Sequence, residues 1–169
     1  MGFDRQFDNG FYFNHVFRWL DLCCVQEAPN GRLMGYILCK AEGSHNERHG
    51  YITALSVAHE HRRHHLAQPM IEMLEVVSDK VYFFVDLFFQ RTIIIAIKMY
   101  EGLGYSVFKR LREYYGRLGV GGMRHAGRSC SLLTEDLELD LRKPFPGDPK
   151  RRSVRPNGRD KIVSACEVS

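Results

Sequence analysis

The sequence predicts an α/β domain built on a mixed β-sheet, and three observations support this prediction. Two apolar segments flank the turn Pro29-Asn30-Gly31, which is typical of a β-hairpin. A third apolar segment leads into residues that recur at helical spacing. A long apolar, β-branched and aromatic run follows, as expected of a central strand buried on both faces. The helix between the third and fourth strands allows these two strands to lie parallel.

The first half of the chain contains the hairpin, the third strand and a helix. The hairpin strands are expected at residues 22–25 and 33–39, and the third strand at residues 51–57. Apolar residues then recur at helical spacing: Leu66, Met70, Met73, Leu74 and Val77. Pro69 falls in the first turn of that helix, where its missing N–H costs little.

The second half predicts a fourth strand at residues 81–89, then a second helix and two more strands. Residues 93–97 are mostly isoleucine, so intrinsic propensity alone favours a strand there. Residues 98–104 instead indicate a helix that ends at a glycine. The last two strands are expected at residues 105–112 and 135–142.

Composition and length exclude several classes of protein. A chain of 169 residues with 44% hydrophobic and 26% charged residues is one folded domain, not a disordered chain. No apolar run approaches the roughly 20 residues that cross a membrane, and the start of the chain has no apolar signal core. Five cysteines without CxxC spacing favour reduced thiols over a disulfide or a zinc site. We therefore expect a soluble intracellular protein.

The net charge of +4 is concentrated at the end of the chain. Residues 142–169 contain eight Lys or Arg and three acids, so the remainder is close to neutral. Four prolines and many charges follow residue 143, which predicts a domain at residues 1–143 and a basic, disordered tail at residues 144–169. Such a tail is either simply solvated or contacts RNA, the ribosome or an acidic partner.

A basic turn between the third strand and the first predicted helix is a candidate anion site. Its sequence is Arg62-Arg63-His64-His65-Leu66-Ala67. The N–H groups and the dipole of a helix N-terminus favour a phosphate at such a turn. The arrangement resembles the acetyl-CoA motif of the GNAT acetyltransferases, Arg/Gln-x-x-Gly-x-Gly/Ala. Arg62 and Ala67 match the motif, whereas His65 stands in place of its central glycine.

Four histidines near this turn, His59, His61, His64 and His65, could also form a metal cluster. The two adjacent arginines would repel a cation, so we expect no metal site.

Longer strings resemble the catalytic subunits of N-terminal acetyltransferase B. The resemblance covers residues 11–115 and resumes near residue 135. The strings are Leu33-Met-Gly-Tyr-Ile37, Lys40-Ala-Glu-Gly-Ser44, Thr53-Ala-Leu-Ser-Val-Ala58, Phe83-Phe-Val-Asp-Leu-Phe88, Met99-Tyr100, Leu103-Gly-Tyr-Ser-Val107, Glu113-Tyr-Tyr115 and Asp140-Leu-Arg-Lys143. The resemblance implies the GNAT fold, a mixed and mostly antiparallel sheet with flanking helices, splayed around the cofactor between the third and fourth strands.

The resemblance also implies an activity. Enzymes of this family transfer acetyl from acetyl-CoA, without a metal, to the α-amine of nascent chains that begin Met-Asp, Met-Glu, Met-Asn or Met-Gln. They act at the ribosome in complex with a large helical auxiliary subunit, which implies a cytoplasmic location, with the nucleus as a second one, and no membrane contact. An α-amine has a pKa near 7.7–8.0, so a weak or water-mediated base is enough.

The resemblance assigns a role to each matching position. The backbone of Leu55 and Val57 would bind the pantetheine arm. The pyrophosphate would lie against Arg62, Arg63, His65 and Ala67. Tyr100, near the thioester sulfur, and Tyr114 are the candidate catalytic residues. The peptide would contact Tyr51, Thr53 and Tyr115; because Tyr114 and Tyr115 are adjacent, only one of them can face the cleft if they lie on a strand.

Some positions depart from the family pattern. Tyr51 replaces a His that contacts the second residue of the substrate, Ile93 replaces an Asn, and the family has a first strand and most of a first helix before Phe11 that this chain does not supply. Two alternatives therefore stay open. One is a non-catalytic relative that has lost acetyl-CoA binding, and the other is a module that contacts RNA or the ribosome through the tail.

Overall fold

The computed structural model describes residues 7–44, 47–90, 94–112 and 137–164. Its three α-helices within these ranges are α1 Asn9–Trp19, α2 Ala67–Asp79 and α3 Ile94–Gly102. Its strands are β1 Cys23–Glu27, β2 Leu33–Glu42, β3 His49–Val57, β4 Phe84–Gln90, β5 Ser106–Arg112, β6 Leu137–Pro144 and β7 Ile162–Ser164. Short 3-10 helices lie at Leu20–Leu22 and His59–His61. No helix in the described ranges is long and apolar enough to span a bilayer.

The seven strands form one mixed sheet in the order β1-β2-β3-β4-β6-β5-β7. The predicted hairpin pairs antiparallel, and the predicted parallel contact joins β3 to β4. The β5–β7 pair is also parallel, while the remaining neighbours are antiparallel. The prediction of a mixed, mostly antiparallel sheet is confirmed.

The main core lies on the face of the sheet that α2 and α3 cover, which we call the helix face. Ile37, Ile71, Leu74, Val85 and Leu141 are fully buried there. Ile37, Val85 and Leu141 alternate along their strands with residues of the opposite face, as a pleated sheet requires, and Ile71 and Leu74 of α2 pack on them. Of the residues whose spacing predicted α2, Met70 and Leu74 are buried against this face, whereas Met73 and Val77 are exposed.

Helix α1 packs on the opposite face, which we call the α1 face. The Asp8 side chain accepts a hydrogen bond from the backbone N–H of Phe11 at 2.7 Å and so caps the helix. His15 is buried, and its Nε2 lies 2.8 Å from the carbonyl oxygen of Cys39 on β2. Phe13 and Phe17 point away from the sheet and are 77% and 91% exposed.

Residues from Ile94 onward are helical, so the strand that their propensity favours is not formed. Tertiary packing decides this, because the helix places Tyr100 in the main core. Its C-terminus is a Schellman motif around Gly104, whose φ of +92° favours glycine. The N–H of Tyr105 bonds the carbonyl of Tyr100 and that of Gly104 bonds the carbonyl of Glu101, both at 3.0 Å. The predicted glycine stop is confirmed.

The segment after β6 differs from the expected disordered tail, because it folds back on the sheet up to β7. Phe145 and Ser153 are buried. The Asp148 carboxylate accepts hydrogen bonds from the N–H and hydroxyl of Ser153 at 3.0 and 2.7 Å. The hydrogen bonds to Asp148 and close backbone contacts hold this segment on the sheet. Its composition alone predicts a solvated tail instead.

Candidate active site

Strands β3 and β4 separate after a short parallel joint. The joint has three residue pairs and ends at Tyr51 and Asp86. Beyond it, β3 continues to Val57 and β4 to Gln90 without pairing to each other. The predicted splay is therefore present, and it exposes one backbone edge of β3 to a gap in the sheet.

A β-bulge lies where the gap opens. Leu38 pairs with Ala54 and Cys39 pairs with Ile52, which leaves Thr53 as the extra residue on β3. The Thr53 hydroxyl oxygen is buried and has no hydrogen-bond partner among the described residues. Bulges interrupt the ladder and are common beside active sites. Thr53, predicted to contact substrate, thus lies at the inner end of the gap.

The open edge of β3 presents the backbone groups of Leu55 and Val57. The N–H of Ala58 donates to the carbonyl of Met34 on β2 at 2.8 Å. The carbonyl of the same trans peptide, that of Val57, therefore points the opposite way, into the gap. Leu55, two residues earlier on the same strand, presents its backbone to the same side. These are the groups that the resemblance assigns to the pantetheine arm.

Arg62 closes the outer end of this edge. Its Nε donates to the Val57 carbonyl at 3.2 Å, and the side chain is otherwise exposed. The bond fixes the guanidinium beside the gap while its other N–H groups stay available to a phosphate.

The turn that follows is shaped to bind an anion. Arg63 and His65 have left-handed backbones, with φ of +65° and +59°. His65 is followed by right-handed Leu66, and such alternation directs successive N–H groups toward one concavity. No side chain caps the N-terminus of α2, which begins at Ala67. Pro69 has no N–H and the N–H of Gln68 donates to the carbonyl of His65 at 3.3 Å, so this helix end contributes mainly its dipole and the N–H of Ala67. Position 65 thus adopts the conformation that glycine favours while carrying an imidazole.

Tyr100 lies on the helix face of the gap. The residue is 5% exposed, and its ring centroid lies 5.9 Å from that of Phe89 and 5.3 Å from that of Tyr105. Burial raises the pKa of Tyr100 well above its ordinary value, and the nearby Cys39 adds to the rise. The hydroxyl therefore stays protonated at neutral pH.

Tyr51 lies on the α1 face of the gap. It is the last residue of β3 paired with β4, and its ring lies 5.6 Å from that of Phe88, two residues past the joint. Tyr100, the candidate catalytic residue, and Tyr51, the candidate peptide contact, therefore approach the gap from opposite faces of the sheet.

Asp86 is a feature that the sequence patterns did not indicate. It is 2% exposed, its Oδ2 lies 3.6 Å from Nε2 of His49, and its Oδ1 has no partner among the described residues. Burial raises the pKa of Asp86 well above its ordinary value, and the neighbouring Asp140 adds to the rise. The one sign of this site in the sequence is that Asp86 is the single charged residue in the apolar run at residues 81–89.

Two predicted site residues, Tyr114 and Tyr115, lie outside the described residues, as does Ile93. Within the described ranges, no group of three or more His, Cys, Asp or Glu side chains is placed to hold a metal ion.

A model of the acetyltransferase (GNAT) family matches residues 3–105. The chain belongs to the GNAT acetyltransferase family. It is 38% identical over 152 residues to the N-terminal acetyltransferase B complex catalytic subunit NAA20 of Arabidopsis thaliana, covering 89% of this chain and 78% of that protein. The corresponding subunit naa20 of Schizosaccharomyces pombe is also 38% identical, and the match covers 96% of this chain and 85% of that protein. Within the GNAT family, the chain thus groups with these catalytic subunits.

Solved structures agree with this placement in the GNAT family. Naa20 of Chaetomium thermophilum in complex with a bisubstrate analogue superposes with a TM-score of 0.82 at 32% identity, covering 99% of this chain and 88% of that one. A NatB acetyltransferase complex bound to a bisubstrate inhibitor gives a TM-score of 0.75 at 31% identity, over 98% and 87% of the two chains. The GNAT fold expected from the sequence is confirmed.

Proposed function

We propose that this chain is the catalytic subunit of an N-terminal acetyltransferase of type B, which acetylates α-amines of chains beginning Met-Asp, Met-Glu, Met-Asn or Met-Gln. The observation that carries the proposal is the gap between β3 and β4, whose open edge leads from Thr53 to the anion-binding turn. The high identity to NAA20 subunits, across most of both chains, supports the choice of type B.

Acetyl-CoA, when bound, supplies the acetyl group as a thioester. The backbone of Leu55 and Val57 would bind its pantetheine arm. Its pyrophosphate would contact Arg62, Arg63, His65 and Ala67. The open edge and the uncapped helix N-terminus fit these two parts. Holding both substrates in one orientation supplies much of the rate enhancement, because a bimolecular reaction becomes effectively unimolecular.

The reaction also requires that the peptide amine lose a proton and that the departing sulfur gain one. The amine of the peptide would enter from the α1 face, past Tyr51, since Tyr100 and the α2 turn occupy the other side. Because the amine is partly neutral at physiological pH, a water-mediated base is sufficient. Tyr100, which the resemblance puts near the thioester sulfur, would donate a proton to it.

A peptide assay tests this proposal. The chain is co-expressed with an auxiliary subunit and supplied with acetyl-CoA and peptides that start Met-Asp, Met-Asn, Met-Leu or Ser. The proposal expects the first two to react fastest; faster reaction of Met-Leu or Ser peptides contradicts it. Titration calorimetry with acetyl-CoA distinguishes this proposal from the non-catalytic alternative. A relative that has lost acetyl-CoA binding would show no heat of binding.

We also propose that a large helical auxiliary subunit covers α1. Phe13, Phe17 and Leu20 follow one another at helical spacing and are each at least 67% exposed, an apolar stripe larger than scattered surface residues explain. One neighbouring structure is a NatB complex, which supports such a partner. The double variant Phe13→Ser, Phe17→Ser should improve monodispersity of the isolated chain in size-exclusion chromatography and weaken co-purification of the auxiliary subunit; unchanged co-purification contradicts the assignment.

Ribosome association in the cytoplasm, with the nucleus as a second location, is part of the same proposal. Arg151, Arg152, Arg155 and Arg159 are exposed on the C-terminal segment and offer positive charge to ribosomal RNA. Co-sedimentation with ribosomes should weaken when these arginines are replaced by glutamine, and imaging of the tagged chain tests the location.

A further inference from the structure

Lys40 lies on the α1 face at the point where the gap opens. It pairs with Tyr51 across β2 and β3, and directly opposed residues share a face. Its Nζ stands 4.8 Å from the centre of the Tyr51 ring. Leu38 and Tyr36, two and four residues earlier on β2, face the same side and pack beneath α1. The ammonium is therefore fixed on the face opposite Tyr100.

The ammonium is held there and remains accessible. The Lys40 side chain is 34% exposed, and its ion-pair partner, Glu42, is 41% exposed. An exposed ion pair contributes little free energy, so Glu42 competes weakly with an incoming ligand. The contact with the Tyr51 ring orients the charge without using any of its three N–H donors.

The peptide side of the gap is the side on which Lys40 lies. The turn from Arg62 to Ala67 leads into α2, which packs on the helix face, and Tyr100 occupies that face beside the gap. The α1 face at Tyr51 is consequently the side left for an amine substrate. A residue following the reacting amine would pass within reach of the long Lys40 side chain.

We propose that Lys40, oriented by Tyr51, is a specificity-determining residue that recognises the side chain of the peptide's second residue. This inference rests on the proposed function. An ammonium only donates hydrogen bonds, and both carboxylates and amides offer an oxygen that accepts them. A hydrocarbon side chain offers none and would leave the ammonium desolvated without a partner. In this chain, one lysine would therefore accept Asp, Glu, Asn and Gln as a single substrate class.

The test measures kcat/KM of the complex with its auxiliary subunit for three peptides, which begin Met-Glu, Met-Gln and Met-Leu. Lys40→Gln should reduce the value for Met-Glu roughly tenfold or more, the loss expected for one charge-assisted hydrogen bond. The value for Met-Gln should fall less, and that for Met-Leu should not fall. Lys40→Arg should restore most of the preference for Met-Glu, because it keeps the charge.

Two further variants sharpen the result. Glu42→Gln removes the competing carboxylate and should raise the ratio of Met-Glu to Met-Gln. Lys80→Gln, an exposed lysine at the end of α2, should leave all three values unchanged. An equal loss for all three peptides in Lys40→Gln, or an unchanged order of preference, overturns the assignment of Lys40. A wild-type complex that acetylates none of these peptides overturns the proposed function itself.

Discussion

Residue 65 combines a left-handed backbone with a histidine side chain. A non-glycine residue in this conformation costs roughly 1–2 kcal/mol, partly offset in the variant by the greater unfolded-state entropy of glycine. His65→Gly should therefore leave stability equal or slightly higher. It should also tighten acetyl-CoA binding several-fold, because the backbone can approach the phosphates more closely. Titration calorimetry and thermal unfolding measure the two effects.

His64→Gly is the matched control for that variant. His64 lies in the same exposed turn, but its φ is not positive, so the glycine brings no relief of strain. It should leave acetyl-CoA affinity unchanged or weaker. If His65→Gly binds no more tightly than the original chain, the imidazole at position 65 does not hinder the cofactor.

The hydroxyl of Tyr100 can be tested separately from its ring. Tyr100→Phe removes the hydroxyl and keeps the ring contacts with Phe89 and Tyr105. Loss of a positioned proton donor should lower kcat on the order of 10²-fold, with KM for acetyl-CoA little changed. Steady-state kinetics provide the measurement. Tyr82→Phe is the control, because Tyr82 is buried in the same core away from the gap; an equal fall in its kcat would show that Tyr100 acts through packing.

At the scale of elements, the C-terminal segment depends on Gly158. A Cβ at this position would lie 1.8 Å from the carbonyl oxygen of Val107 on β5, so the backbones would have to separate. Gly158→Ala should lower the free energy of unfolding by about 1–3 kcal/mol, as overpacking does. Urea denaturation followed by circular dichroism measures it.

Gly102→Ala provides the opposite case. Apart from its chain neighbours and its own helix backbone, no atom of the described residues lies within 4 Å of a Cβ at Gly102, which is in the last turn of α3. Alanine there should be neutral or stabilising by about 0.5–1 kcal/mol. Equal effects of the two substitutions would show that the segment before β7 is not docked on β5.

Elements with a strong local signal could be predicted from the sequence. The Pro29-Asn30-Gly31 turn indicates the hairpin, and helical spacing indicates α2. The first half of α3 could not be predicted, because its isoleucines have strand propensity and the need to bury Tyr100 overrides it. The docking of the C-terminal segment was equally hidden, since it depends in part on hydrogen bonds to Asp148, which hydrophobic patterning does not reveal.

The candidate site divides in the same way. The anion-binding turn was predicted because a sequence motif marks it, and the gap was expected from the resemblance to GNAT acetyltransferases. The bulge at Thr53 and the contact between Lys40 and Tyr51 depend on the register of β2 against β3, which no local pattern specifies. The bond from Arg62 to the Val57 carbonyl requires the turn conformation as well.

At the scale of the whole molecule, two buried carboxylates make stability depend on pH with opposite signs. Burial, with Asp140, raises the pKa of Asp86, although Arg142 and Lys109 oppose the rise. The folded state thus holds this proton more tightly than the unfolded state, and stability is lost as pH rises above the unfolded value. Asp86→Asn cannot ionise, so its stability advantage should widen as pH rises from the unfolded pKa of about 3.9 toward the folded value, by at most about 1.4 kcal/mol per pH unit.

Asp148 should behave in the opposite way. Burial opposes the shift, but hydrogen bonds from the Ser153 backbone and hydroxyl lower the pKa of Asp148 overall. Its ionised form therefore stabilises the fold at neutral pH, and this contribution is lost as pH falls through the folded value. Asp148→Asn should be destabilising at neutral pH, with a deficit that shrinks in acid. Urea unfolding across the pH range compares the two variants; parallel curves for both would contradict the assigned signs.

The short joint between β3 and β4 also affects how long the protein survives. Strands β1–β3 and β4–β7 are two half-sheets, which three residue pairs join within the described residues. A bound molecule that lies along Leu55 and Val57 and reaches Tyr100 of α3 substitutes for the missing strand contacts. At a hundredfold excess over its Kd, such a ligand stabilises the fold by about 2.7 kcal/mol. Protection from amide exchange and resistance to proteolysis should then follow the supply of acetyl-CoA, so that a cell short of this metabolite would hold less of the enzyme as well as less of its substrate.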